Sequence, residues 1–373
     1  MKPFEDPIFV TRPLLADLQD VYKELEEIWE SQWLTNMGAK HQKLEEELKK
    51  VLGVPGISIF NNGEIALIVS IQSLRLSGEV ITTPFTFPGT PHVLAWNNIT
   101  PVFCDIDEET LTLDPEKIEN SITAKTTGIL AVHVYGMPCH IKEIQQIADR
   151  YGLRVVYDAA HAFGTEIDDV PIGMFGDISM FSFHATKLFH TVEGGALTFN
   201  SPHLKQRIDL LKNFGIKNEE EVVLPGINGK MNELQAAIGL INLKLIDAER
   251  EKRQSIVDAY TQHLAELPGI QVFEIPANVR RSYQYFVIRI GEEFGRSRDE
   301  VYEEFKKYNV FTRKYFYPLC SDYSCYRHLP SSDPANLPVA HRVVKEVLCL
   351  PLYGRLKSEE VEKICEILKS LKK

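Results

Sequence analysis

The sequence predicts an α/β protein, with a large, mainly parallel sheet domain over residues 1–245 and a small C-terminal α/β domain over residues 246–373. Three observations lead there. Short apolar runs of strand length alternate with amphipathic stretches of helical period between residues 57 and 195, and such β–α–β repetition implies parallel strands with helices on both faces. The chain is 44% hydrophobic over 373 residues, enough to bury one large core and a satellite. From about residue 246 the charge density rises and the strand signals change, which marks the second unit.

The elements follow in order. Residues 14–33 carry helical periodicity with acidic residues on one side, and residues 42–52 form a second amphipathic helix stopped by Gly53. Between them, Leu34 to Gly38 reads as a loop. Residues 57–60 form a short strand, and Asn61-Asn-Gly-Glu64 then opens a helix. A glycine turn at a helix start gathers free backbone N–H groups and the positive end of the dipole, which suits a phosphate; alone, Asn-Gly is an ordinary turn. The strand at 79–83 leads into Pro84 to Thr90, where Phe87 either covers a flat ligand or is simply core. Strands at 101–105 and 128–134 bracket a helix begun by Asp114-Pro115, with proline in its first turn. A helix at 141–151 precedes the strand 154–158, which ends on Asp158.

Residues 178–183 form a buried strand that runs into Ser182, His184, Thr186 and Lys187, and then into the corner Glu193-Gly-Gly195. Past Gly195 the pattern turns to long helices. One spans 204–214, and another follows Asn228 to Gln235 and runs past Arg253 to Leu267. The C-terminal unit has strands at 270–275, 283–290 and 310–317, and helices at 298–307, 338–347 and 358–371.

Composition narrows the function. A net charge of −11 argues against nucleic acid or an anionic membrane as the main partner, although a local cluster of donors can still hold a phosphorylated ligand. No apolar run reaches transmembrane length, and no N-terminal signal pattern is present. The six cysteines form no CxxC pair, which predicts reduced thiols in a cytoplasmic protein and no metal site.

The chemistry is concentrated at two strand ends. Desolvation of a lysine just past a buried strand disfavours its ammonium, as an amine needs if it is to attack a carbonyl. Lys187 stands in that place, and Asp158 ends an earlier strand. A Schiff-base lysine with an aspartate facing a pyridinium nitrogen is the pairing that pyridoxal 5′-phosphate requires. Taken singly, Lys187 is a loop lysine, Asp158 a cap, His161 a structural histidine and the glycine pair a turn. In order, at the carboxyl edge of a parallel sheet, they mark a ligand site.

Asp158-Ala-Ala-His161, Phe181-Ser-Phe-His-Ala-Thr-Lys187 and Glu193-Gly-Gly195 together resemble the DegT/DnrJ/EryC1/StrS family of sugar-nucleotide aminotransferases. Matching segments extend from Thr35-Asn-Met-Gly38 to Tyr317-Pro-Leu319 and Leu350-Pro-Leu352, nearly the whole chain. The resemblance implies the aspartate aminotransferase fold (fold type I) and pyridoxal phosphate held by Lys187, with Asp158 at the pyridine nitrogen. It also implies a phosphate seat at Gly63, Glu64 and Ser182, an aromatic stack by Phe87, and His161 near the ring or its phenolic oxygen. Glu64 departs from the small residue usual in the family, so its amide, not its carboxylate, is expected to face the phosphate. His184 either orients Lys187 or packs. Asn228 matches a loop that reaches the partner's phosphate, which implies a homodimer with shared active sites.

The implied reaction is ping-pong transamination with L-glutamate as donor and a nucleotide-linked keto sugar as acceptor. A related branch with histidine in place of the lysine dehydrates or deoxygenates, and Lys187 disfavours it. Phe85-Thr-Phe87, Pro101 to Asp105, Phe214-Gly-Ile216, Asn228 to Met231 and Tyr315 to Pro318 most resemble enzymes that aminate the 4-keto group of dTDP-4-dehydro-6-deoxy-D-glucose. A 3-keto sugar, or a UDP- or GDP-linked 4-keto sugar, is the alternative within the family. A non-catalytic regulator with this fold is the alternative outside it.

Overall fold

A computed structural model describes residues 1–373. Its centre is a seven-stranded sheet of β1 (Gly56–Phe60), β2 (Glu79–Thr82), β3 (Thr100–Phe103), β4 (Thr126–Val132), β5 (Arg154–Asp158), β6 (Ile178–Ser182) and β7 (Gly195–Phe199). The strand order is β1-β7-β6-β5-β4-β2-β3, parallel except for β7, which runs antiparallel to both its neighbours. Buried apolar side chains fill these strands on both faces, as a sheet covered by helices on each side requires.

Register decides where the chemistry goes. Val132 pairs with Asp158, Asp158 with Met180, and Ser182 with Gly195, which in turn pairs with Phe60. The carboxyl ends of β4, β5 and β6 therefore finish side by side, at the edge where open α/β sheets bind ligands. Helix α1 (Gly63–Ser73) starts directly above that edge, its first turn capped by the Asn62 side chain accepting from the Ile65 amide at 2.9 Å. Gly195 makes this approach feasible, since a Cβ there would lie 2.7 Å from the Cα of Gly63.

The C-terminal part packs β8 (Ile270–Val272), β9 (Phe286–Ile290) and β10 (Val347–Leu350) into an antiparallel sheet in that order. The helices Ile246–Leu264, Arg298–Lys307 and Ser358–Leu371 accompany it. Ile8 and Phe9 pair with Val310 and Phe311, so the N-terminal segment lies against this part of the molecule, and Ile8 shares a core with Ile256, Val310 and Leu368.

Several expected elements differ in extent. β7 lies where only a turn and helices are expected: its five residues are all buried, so it has no polar alternation to announce it. The single long helix expected from residue 235 to 267 is two, Glu233–Leu243 and Ile246–Leu264, broken by a turn at Lys244-Leu245 that no glycine or proline signals. The strand expected at 310–317 stops at Phe311, and the chain then runs irregularly along the cavity, with the Tyr135 hydroxyl donating to the Tyr315 carbonyl. The helix expected at 338–347 ends at Val343, residues 344–346 form a turn, and Val347 begins the buried strand β10.

Candidate active site

A cavity of about 440 Å3 opens at the carboxyl edge of the sheet. Gly63, Glu64, Phe87, Asp158, His161, Ser182 and Lys187, all expected at the site, line it together. Asn228 does not. It is exposed outside this cavity, its Oδ1 accepting from Lys230 Nζ at 3.1 Å. A larger cavity of about 750 Å3 borders helix Ile246–Leu264, but no lysine or cysteine lines it.

The lysine is held by its neighbours in sequence. Leu188 and Phe189 are buried, and Phe189 stacks on Phe163 at 4.8 Å and meets Phe183 edge-on at the same separation. Gln284, itself buried, brackets Lys187: its Oε1 accepts from the Leu188 amide at 2.8 Å and its Nε2 donates to the Thr186 carbonyl at 3.0 Å. The amine itself makes no hydrogen bond and no ion pair within the chain. It is reachable through the cavity, yet the protein packed around it desolvates the ammonium and lowers its pKa to about 8, with the Asp158 charge opposing.

Asp158 is buried at the end of β5, and burial raises its pKa. Opposing that, the Thr90 hydroxyl donates to Oδ2 at 2.8 Å, the Ala160 amide donates to Oδ1 at 3.1 Å, and Lys187 adds its charge. His161 is buried too, stacked on Phe316 at 5.7 Å and edge-on to Tyr285 at 5.1 Å. Burial, aided by the Lys187 charge, lowers its pKa well below the usual value. The neutral ring accepts the Tyr135 amide at Nδ1, 3.3 Å away, so its proton sits on Nε2.

The start of α1 supplies donors. The amides of Gly63 and Glu64 precede the first intrahelical bond and have no partner in the chain. Ser182 lies against them, with its Oγ 3.2 Å from where a Cβ on Gly63 would stand. Glu64 is exposed and makes no ion pair, in keeping with a side chain that leaves the amide to face the cavity. Phe87 is 59% exposed at the cavity wall and is not core. His184 lies at the mouth, its Nδ1 2.8 Å from Thr186 Oγ1 and its Nε2 3.5 Å from Glu193 Oε1, an arrangement that does not touch the Lys187 amine.

Sequence reasoning missed Thr86, Thr90, Gln284 and Tyr285, whereas Tyr315, singled out within Tyr315 to Pro318, does line the cavity. The two threonines lay within a segment already noted for Phe87, and Asp158 needed a donor, so they were within reach. Gln284 sits almost a hundred positions from its partners, and no spacing rule could have found it.

Across residues 17–369 the chain matches the DegT/DnrJ/EryC1/StrS aminotransferase family. The chain belongs to that family. Among its relatives is the dTDP-4-amino-4,6-dideoxy-D-glucose transaminase of Escherichia coli, 48% identical over 96% of this chain and 97% of that one. Among solved structures, DesI with its TDP-sugar product superposes with a TM-score of 0.94 at 35% identity, covering 99% of this chain and 94% of DesI. The PLP form of Spr1654 from Streptococcus pneumoniae matches with a TM-score of 0.90 at 26% identity over 98% of each chain. The fold is that of these aminotransferases, fold type I, and the protein is a pyridoxal-phosphate-dependent sugar aminotransferase. No helix is long and apolar enough to cross a membrane.

Proposed function

We propose that this enzyme transfers an amino group from L-glutamate to C4 of dTDP-4-dehydro-6-deoxy-D-glucose, giving dTDP-4-amino-4,6-dideoxy-D-glucose. The observation that carries this reading is the 48% identity, over nearly the full length of both chains, to a transaminase named for that product.

The residues at the sheet edge fit pyridoxal phosphate. Two unpartnered amides at the start of α1 and the Ser182 hydroxyl suit a phosphate, and the exposed face of Phe87 suits a flat ring. An unpaired amine at Lys187 and a hydrogen-bonded carboxylate at Asp158 suit its carbonyl carbon and its ring nitrogen. When bound, the cofactor serves as the carrier of the amino group and as an electron sink for Cα–H cleavage.

The protein's own groups then act as follows. The Asp158 carboxylate would keep a proton on the ring nitrogen, and His161, with its proton on Nε2, would be a donor for the ring's oxygen substituent. Lys187 Nζ, neutral in a useful fraction because its pKa is about 8, takes the proton from Cα of the amino donor. In the second half-reaction the same nitrogen returns a proton to C4 of the sugar. Phe316, Tyr285 and Tyr315 wall the cavity and keep water from the reacting carbon.

Asn228, exposed outside its own chain's cavity, completes the phosphate seat of a second copy, so the functional unit is a homodimer with shared sites. Unpaired cysteines support action in the cytoplasm. The division into residues 1–245 and 246–373 is supported by the break before helix Ile246–Leu264. Limited proteolysis that spares both sides and cuts there would support the two-domain division.

The test of substrate is incubation with glutamate and a panel of dTDP-, UDP- and GDP-linked keto-6-deoxysugars, with NMR of the products. An amine at C4 of the dTDP sugar is expected. An amine at C3, or preference for a UDP or GDP sugar, overturns the substrate and leaves the cofactor assignment standing.

A further inference from the structure

Asp158 must remain ionised in a place where burial works against it, so what holds it there matters. Its two oxygens are engaged differently: Oδ1 takes the Ala160 amide from its own loop, and Oδ2 takes the Thr90 hydroxyl from the helix Gly89–Trp96. Behind Thr90 stands Thr86, the two hydroxyl oxygens 2.9 Å apart and both side chains 1% exposed. A hydroxyl has one proton to give, and an ionised carboxylate only accepts. Thr90 therefore spends its proton on Asp158, and the contact with Thr86 exists only if Thr86 donates. The direction of the chain is fixed: Thr86 to Thr90 to Asp158.

We propose that Thr90, oriented by Thr86, is a positioning residue that holds the Asp158 carboxylate charged and turned so that its free lone pairs face the ring nitrogen of the bound cofactor. This rests on the cofactor role given to Asp158 above. Removing the hydroxyl without changing the shape takes away one of two donated bonds from a buried carboxylate. Burial then raises the acid's pKa further, and the pull on the ring-nitrogen proton weakens. The other titratable groups acting on Asp158 are Lys187 and the Cys139 thiol, with His161 on the same cavity wall, and all three stay in place in such a variant.

The experiment compares Thr90→Val, Thr90→Ser and Thr86→Val. One readout is the dissociation constant of pyridoxal phosphate from the apoprotein, and the other is the pH profile of the visible absorbance of the holoenzyme. Circular dichroism confirms folding. Thr90→Val is expected to weaken cofactor binding roughly tenfold, the scale of one hydrogen bond to a charged group, and to shift the pH profile. Thr90→Ser restores both, because serine keeps the donor. Thr86→Val shows a smaller change, because Thr90 keeps its bond to Asp158. Thr90→Val with unaltered affinity and profile overturns the proposal, and so does Thr90→Ser failing to the same extent as Thr90→Val. Asp158→Asn separates the two levels. If it loses the cofactor while Thr90→Val does not, only the hydroxyl chain is wrong; if it binds normally, the role given to Asp158 falls first.

Discussion

Two of the lysines that burial desolvates in this molecule, Lys187 and Lys212, have opposite fates. Lys212 is fully buried against β1, where its Nζ contacts Asp209 at 2.9 Å, Ser58 Oγ at 2.7 Å, the Ile59 carbonyl at 3.3 Å and Glu45 at 3.8 Å. Burial lowers its pKa, and the two carboxylates oppose that. Lys187 lies at the carboxyl edge of the same sheet with its backbone clamped by Gln284 and its amine unpartnered. Burial alone therefore does not make a nucleophile. The difference is the supply of partners: Lys212 has its charge answered and is structural, whereas Lys187 has its backbone fixed and its amine left free to react.

The largest expected break in this comparison is Lys187→Ala. Transamination should fall by about 10⁴-fold or more, since nucleophile and proton carrier vanish together. A release assay for 2-oxoglutarate would read it, and turnover near the wild-type rate would remove the contrast altogether. Lys212→Met should spare the chemistry and lower stability by about 2 kcal/mol, because Ser58 and the Ile59 carbonyl lose a donor and Asp209 loses its nearer counter-charge, while Lys205 still pairs with Asp209 and Glu45. Denaturant unfolding of the apoprotein reads that loss. Lys187→Met run alongside should leave the apoprotein as stable as before or slightly more so, as expected when a desolvated, unpaired amine is replaced by an apolar chain.

Gln284→Leu sharpens the distinction between holding the backbone and holding the amine. It leaves the Leu188 amide and the Thr186 carbonyl without their side-chain partner, at a cost of about 2 kcal/mol. It should also slow covalent capture of the cofactor by Lys187. Unchanged capture would mean that the aromatic packing of Phe189 fixes the loop unaided.

A finer effect is the pH dependence of the free amine. Because the folded pKa of Lys187 is depressed, its neutral, reactive fraction rises as pH increases through about 8, below the 10.5 of an unperturbed lysine. Reductive methylation of the apoprotein, followed site by site by mass spectrometry, should reach half its limiting rate at Lys187 near that pH. The unfolded chain binds the proton up to higher pH than the folded one does. This group's contribution to stability therefore improves as pH rises from about 8 toward 10.5.

The part of this contrast that lies in consecutive residues was legible in the sequence. Asp158, Ser182 and Lys187 each stand at or just past the end of an apolar run, and the sheet's register brings those ends together as the β–α–β pattern implies. The Gly63 turn was equally plain, since a capped helix start follows a strand. Apart from Asp209, three residues before Lys212, the partners that decide what each lysine does come from afar, and pattern cannot supply them. Gln284 reaches Lys187, and Ser58 and Glu45 reach Lys212, across more than ninety positions in each case. β7 was hidden for a different reason: buried on both faces, it offers no alternation, and the glycines that begin it look like a turn.

The most direct test is to reduce the holoenzyme with borohydride, digest it, and locate the pyridoxyl mass by peptide sequencing. The modification is predicted on Lys187 alone, with Lys212 unmodified. A label on any other lysine, or a fully active enzyme that takes none, would contradict the account.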